Sequence, residues 1–82
     1  MIMSAERAME QTCREILADL LKLAPGDIRH MSSRDNLTGW DSLEHIKLVL
    51  ALEEEFGITL EVDEIESIRS FADIVRVIGG KL

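Results

Sequence analysis

Apolar residues recur along the chain at three- and four-residue steps, which is the period of an amphipathic helix. In the first quarter, charged residues separate six such positions: Ala5, Met9, Cys13, Ile16, Leu17 and Leu20. Pro25 and Gly26 follow, and proline disfavours a helical conformation in the residue before it. The pattern therefore predicts a first helix from Ser4 to Leu23.

The densest apolar run begins at Ser42 and ends at Phe56, where Gly57 is a helix stop signal. On a helical wheel the charged residues collect on one side: Glu44, Lys47, Glu54 and Glu55. Leu43 and Leu50 fall at the border of the apolar arc, which suits a protein-docking surface or the edge of a wide core. Glu53 points into the apolar arc, and the sequence offers no account of it.

The remaining segments predict a long connection and two shorter helices. Residues 24–41 have the composition of turns, and three apolar residues are expected to hold them to the core: Ile28, Met31 and Leu37. A short third helix is predicted over Glu61–Ile68, with Val62, Ile65 and Ile68 at three-residue spacing. Ser70 is expected to cap a fourth helix, with Asp73 three residues on, and Gly79-Gly80 are expected to end it.

These patterns predict an all-α fold, a small four-helix bundle with a long loop between helices 1 and 2 and a short third helix. No window alternates with period two over the length of a strand. The 82 residues suit one domain over residues 1–82, with a core at about 5–79. We expect it to be a monomer.

The charge distribution excludes some classes of partner. The net charge is −7, and nine of the sixteen acidic residues lie between positions 41 and 66, against the single base Lys47. Nucleic acids and anionic lipid are therefore improbable partners, whereas basic protein surfaces suit this half of the chain.

The single cysteine rules out an internal disulfide, and the start of the chain lacks a signal-peptide pattern. No apolar stretch approaches the length that spans a bilayer. The sequence therefore predicts a cytoplasmic protein.

Ser42 lies in the run Gly39-Trp40-Asp41-Ser42-Leu43, at the start of the acidic helix. A hydroxyl there can cap the helix, or it can hold a phosphate-linked group that the helix dipole and free amides would stabilise. His45 lies three residues on and is the only nearby base, but no third group orients it, so a Ser-His hydrolase is disfavoured. We expect His45 to be exposed.

The stretch from Leu37 to Ile46, followed by Leu48 to Ile58, resembles the attachment site and second helix of acyl and peptidyl carrier proteins. The resemblance implies a non-catalytic carrier whose Asp41-Ser42-Leu43 motif receives phosphopantetheine from coenzyme A through a phosphopantetheinyl transferase. The thiol of that arm would hold acyl or aminoacyl groups as thioesters.

The resemblance also implies two sets of contacts. Contacts with the basic surfaces of transferases and acyl-handling enzymes would involve Leu43, Glu44, Leu50 and Glu54. The core that shelters an acyl chain would be lined by Ile46, Val49, Leu52 and Ile68.

Two residues depart from the pattern of carriers in fatty-acid synthesis. Lys47, within the docking helix, stands where an acid is usual, and Trp40 precedes the aspartate and is expected to plug the core over the helix start. These departures favour a discrete carrier of a polyketide, nonribosomal peptide or modified-lipid pathway, served by a loading ligase, synthases and acyl transferases. An aminoacyl or peptidyl carrier and an unmodified acidic helical adaptor remain as alternatives.

No other residue cluster suggests chemistry. Cys13, His30 and His45 are isolated from one another in the sequence, so no metal site is expected. Cys13 falls on the apolar stripe of the first helix, which predicts a buried structural thiol.

Overall fold

The computed structural model describes residues 5–82, and these residues form four α-helices. The helices are α1 (Ala5–Leu21), α2 (Ser42–Phe56), α3 (Val62–Ser67) and α4 (Phe71–Lys81), with a short 3-10 turn at Pro25–Asp27. The predicted all-α fold, with its long first loop and short third helix, is confirmed. Ser4, the predicted start of the first helix, lies outside the described residues. Between residues 5 and 82, no helix has the length and apolar character needed to cross a membrane.

The capping residues explain why two of the helix ends fall where the sequence predicts. Gly57 ends α2 in the left-handed conformation, with φ 64°, and its amide donates to the Glu53 carbonyl. At the start of α4, the Asp73 amide donates to Ser70 Oγ and the Ser70 amide donates to Asp73 Oδ2, each over 3.1 Å. This reciprocal capping satisfies amides that the first turn of a helix leaves free.

The predicted end of the fourth helix at Gly79-Gly80 is wrong, because α4 continues through both glycines to Lys81. Gly79 lies close to α1, where a Cβ atom would approach Met9 Cε to 3.4 Å. Lys81 Nζ forms an ion pair with Glu64 Oε1 of α3 over 2.7 Å. This tertiary packing overrides the weak helix propensity of glycine.

The core forms where α1 packs against α2 and α4. Among its fully buried side chains are Cys13, Leu17, Leu48, Leu52, Ile68, Phe71, Ile74 and Ile78. Val49 is also buried, which confirms the core positions predicted for Val49, Leu52 and Ile68. Burial of a leucine, isoleucine or phenylalanine side chain contributes about 1.5–3 kcal/mol.

Backbone pairing fastens the long loop to the junction between α3 and α4. The Arg34 amide donates to the Arg69 carbonyl over 3.0 Å, and the Phe71 amide donates to the Ser32 carbonyl over 2.7 Å. Ile28 is buried and Leu37 packs against the core, as predicted. Met31 is 82% exposed, so its predicted anchoring role is wrong. The backbone bridge between Ser33 and Ser70 holds this part of the loop, and the Met31 side chain is not needed for it.

The Cys13 thiol is buried in α1, as predicted, and its Sγ lies 3.8 Å from Met9 Sδ. Burial raises the pKa of this thiol to about 12, and the charge of Glu10 adds to the increase. The thiol ionises at a lower pH in the unfolded chain than in the folded one. Its contribution to the free energy of unfolding is therefore fully present below the unfolded pKa and is lost as the pH rises toward about 12.

We expect iodoacetamide to leave Cys13 unmodified in the folded protein, because the thiolate is the reactive species. Intact mass in mildly alkaline buffer measures this, with urea-unfolded protein as the control that must react. Rapid labelling of folded protein would contradict the burial of Cys13.

Candidate functional site

Ser42 occupies the first turn of α2 and its side chain is exposed. The cap of this helix is Asp41, whose Oδ1 accepts the Glu44 amide over 2.9 Å. Asp41 takes the extended conformation that such a cap requires. The helix-start geometry therefore assigns capping to Asp41 and leaves the Ser42 hydroxyl free of that role.

The start of α2 suits a phosphate-linked group. The amides of Ser42 and Leu43 have no acceptor within residues 5–82, and the 15-residue helix directs its positive dipole end toward them. Ser42 is exposed and Leu43 is 60% exposed, so this end of the helix is in contact with solvent. An exposed hydroxyl beside free helix amides fits a phosphodiester, as the resemblance to carrier proteins implies.

Trp40 and His45 form a buried pair directly beneath this site. Trp40 is 4% exposed, as predicted for a core plug, and its Nε1 donates to His45 Nδ1 over 3.0 Å. His45 Nε2 lies 3.0 Å from the Ile65 carbonyl oxygen. Since Nδ1 accepts a hydrogen bond, Nε2 must hold the ring hydrogen and donate it to Ile65.

The expected exposure of His45 is therefore wrong, because its side chain is 7% exposed. The imidazole is stable in the core because partners satisfy both of its ring nitrogens. With both nitrogens engaged, His45 has no free site for a proton from Ser42. The arrangement gives no support to a Ser-His hydrolase.

An apolar stripe lies on the solvent side of α2. Leu43 and Leu50 are 60% and 59% exposed, so neither side chain belongs to the core, and their docking role stays a prediction. Ile46 is 57% exposed, so its predicted place in the core is wrong. We call these three residues, spaced i, i+3 and i+7, the α2 stripe. The cause of the error is His45, which takes the centre of the buried face and turns Ile46 outward.

Val62, at the start of α3, is 67% exposed. Its three-residue spacing to the half-buried Ile65 and the buried Ile68 favours an inward position, so its exposure does not follow from the sequence pattern. The short length of α3 explains this, because its first residue lies at the edge of the bundle.

The charged residues of α2 have distinct environments. Lys47 Nζ forms an ion pair with Glu44 Oε1 over 3.3 Å, and Glu54 is exposed. Glu53 Oε2 accepts the Leu60 amide over 2.8 Å, which explains why this acid points toward the apolar side. Within residues 5–82, no three His, Cys, Asp or Glu side chains come together as a metal site.

The fold and the site define a class: a small helical domain with an exposed serine hydroxyl at the start of its second helix. A family model described as a phosphopantetheine attachment site matches residues 11–78. The acyl carrier protein of Prochlorococcus marinus (strain MIT 9515) is 34% identical over 79 residues, which cover 96% of this chain and 98% of that relative. The chain therefore belongs to the acyl carrier protein family, as its sequence resemblance predicts.

Membership defines the general function. The protein is a non-catalytic carrier of intermediates linked to phosphopantetheine. Its partners include a phosphopantetheinyl transferase and biosynthetic enzymes.

Proposed function

We propose that Ser42 is the residue that receives the phosphopantetheine arm, with Asp41 and Leu43 as the flanking recognition residues. The observation that supports this assignment is that Ser42 is the only serine within residues 5–82 whose hydroxyl makes no hydrogen bond. The other serines in this range bond to backbone groups: Ser32, Ser33, Ser67 and Ser70. Ser42 is thus the accessible hydroxyl at a phosphate-compatible helix start.

The transfer has a simple atomic balance. A bond forms between Ser42 Oγ and phosphorus as a phosphorus–oxygen bond in the pyrophosphate of coenzyme A breaks. The adenosine bisphosphate leaves, and the hydroxyl proton passes to a base of the transferase. His45 does not supply that base, because Trp40 and Ile65 engage both of its ring nitrogens. When bound, the arm provides a thiol that holds acyl groups as thioesters.

The test is intact mass after apo-protein is incubated with coenzyme A, magnesium and a broad-specificity transferase. One added phosphopantetheine is expected. Trypsin should then release the peptide from Asp35 to Lys47, in which Ser42 is the only serine. Fragment ions must place the arm on Ser42. An arm located on Thr38, or no addition while a known carrier is modified in parallel, would contradict the assignment.

We also propose that the α2 stripe and its charged neighbours form the docking surface for partner enzymes. Exposed leucines supply contact area, while Glu44 and Glu54 attract basic partner surfaces. Lys47 lies within this surface and forms the ion pair with Glu44.

Leu50→Ala is expected to lower kcat/KM of the transferase by roughly tenfold, the equivalent of about 1–2 kcal/mol at a docking contact. The side chain is 59% exposed, so the free energy of unfolding should change by less than about 0.5 kcal/mol. Transferase kinetics and urea unfolding measure the two effects. Met31→Ala, at an exposed apolar residue of the long loop, is the matched control and should change neither.

Two residues support a specialised pathway as the setting. Lys47 neutralises part of the acidic surface through Glu44, and Trp40 is built into the core beside the attachment site. We propose a discrete carrier, one domain over residues 1–82 and monomeric, that serves polyketide, nonribosomal peptide or modified-lipid assembly. Its further partners would be an acyl- or aminoacyl-loading ligase, synthases and acyl transferases with basic docking surfaces. The buried thiol of Cys13 suits the predicted cytoplasmic location.

Lys47→Gln should raise kcat/KM with a generic basic transferase, because it removes a positive charge and releases Glu44 from its ion pair. The expected increase is about threefold at low salt, in line with a surface pair of up to about 1 kcal/mol, and it should vanish at high salt. Arg76→Gln breaks a similar i, i+3 pair on α4 and is the matched control. A gain that persists at high salt would contradict the electrostatic explanation.

A further inference from the structure

Two arginines line a cavity close to the start of α2. The cavity has a volume of about 380 Å³ and is lined by Arg34, Asp35, Trp40 and Arg69. A neighbouring recess of about 390 Å³ shares three of these residues and follows the loop from Arg34 to Asp41, the residue next to Ser42. The two spaces therefore join the arginines to the surroundings of the proposed attachment site.

Neither guanidinium forms an ion pair or a side-chain hydrogen bond within residues 5–82. The nearby Asp73 carboxylate is engaged by the backbone amides of Arg69 and Ser70 and by the side chain of Arg76. Asp35 is the only acid that lines the smaller cavity with them. Two guanidinium charges against one carboxylate make this cavity locally positive, although the chain has a net charge of −7.

Backbone hydrogen bonds hold the main chains of Arg34 and Arg69 next to each other. The Arg34 amide donates to the Arg69 carbonyl over 3.0 Å, and Ser33 and Ser70 form an antiparallel bridge. Trp40 contributes a rigid wall, since its indole is fastened to His45. A guanidinium group binds phosphate or carboxylate through two parallel hydrogen bonds, so two neighbouring arginines whose side chains have no ion-pair partner within residues 5–82 suit an oxyanion.

We propose that Arg34 and Arg69 form a binding site for an oxyanion of the loaded arm. The oxyanion is either the phosphodiester next to Ser42 or a carboxylate at the far end of the cargo. The proposal rests on attachment of the arm at Ser42. Such a site would hold the arm against the surface of the carrier, on the side of the long loop, while no partner enzyme is bound.

Four forms of the full chain test the proposal by NMR: apo, holo, and holo loaded with succinyl or with butyryl. The arginine Nε–H signals of Arg34 and Arg69 should shift downfield on binding, while those of Arg29, a loop arginine that lines neither cavity, stay in place. A shift in all three arm-bearing forms identifies the phosphodiester. A shift in the succinyl form alone identifies a cargo carboxylate, since butyryl has a similar length without the charge.

Arginine variants and intact mass distinguish a failure of the oxyanion site from a failure of attachment at Ser42. Trp40 lines both cavities, so its indole N–H signal is also expected to shift when the arm binds there. Arg34→Gln with Arg69→Gln should abolish that shift, whereas Arg29→Gln should keep it. Intact mass is measured on every sample. A mass gain with unshifted Arg34 and Arg69 signals overturns the oxyanion site alone. No mass gain overturns attachment at Ser42, and the site with it.

Discussion

Replacing Ser42 with alanine is expected to abolish transfer of the phosphopantetheine arm completely and to leave the fold intact. The transfer needs the serine oxygen as the atom that bonds to phosphorus, and alanine has no such atom. Intact mass after incubation with coenzyme A and the transferase measures the loss. A variant that still gains the arm would move the attachment to another hydroxyl.

The change in the free energy of unfolding caused by Ser42→Ala shows whether Ser42 or Asp41 caps α2. From sequence, Ser42 is itself a candidate cap, and its loss would then cost about 0.5–2 kcal/mol. The structure places the capping bond on Asp41. Ser42→Ala should therefore change the free energy of unfolding by less than about 0.5 kcal/mol, as an ordinary surface substitution does.

Asp41→Ala is the matched substitution and should cost about 0.5–2 kcal/mol, because it removes the acceptor of the Glu44 amide. Asp41→Asn should restore most of that stability, since asparagine caps helices about as well as aspartate. Urea unfolding of the three variants measures these differences. If Ser42→Ala proves as destabilising as Asp41→Ala, the assignment of the cap to Asp41 is wrong.

Local signals in the sequence account for the features that could be predicted. Gly57 stops α2 because glycine accepts a positive φ without steric cost, and Ser70 with Asp73 satisfies the first amides of α4. The exposed positions of Leu43 and Leu50 follow from helical periodicity and the charges beside them. Each of these features depends only on residues that lie a few positions away in the sequence.

The features that escaped prediction depend on contacts between distant segments. Polarity indicates that His45 is exposed, but the partners that allow its burial are Trp40 and the Ile65 carbonyl, twenty residues away. Once His45 faces the core, the 100° turn to the next residue carries Ile46 to the surface. Similarly, Gly79 remains helical because α1 packs beside it, which no local signal reveals.

His45→Ala is expected to destabilise the protein by about 2–4 kcal/mol, the largest stability effect proposed for a single substitution in this chain. It leaves the buried Trp40 indole N–H without its acceptor, and an unsatisfied buried group costs about 1–3 kcal/mol. It also removes one of the two hydrogen bonds to the Ile65 carbonyl, which keeps the Ile68 amide, and the lost ring leaves a cavity that adds to the cost. Urea unfolding measures the change. His30→Ala, at the exposed histidine of the long loop, is the matched control and should have little effect.

A double-mutant cycle isolates the bond between the two rings. Trp40→Phe keeps an aromatic ring in the core, although it removes the five-membered ring together with the indole donor. Because it leaves the hydrogen bond between His45 and Ile65 in place, it should cost less than His45→Ala. The two substitutions share the same bond, and their combined cost should therefore be smaller than the sum of the single costs. Additive costs would show that the 3.0 Å contact contributes nothing to stability.

The hydrogen bond between Trp40 and His45 lies next to the proposed attachment site. Because Trp40 directly precedes Asp41 and Ser42, this bond also links the attachment site to α3 through Ile65. His45→Ala should thus slow loading of the fraction that remains folded, an effect that His30→Ala should not show.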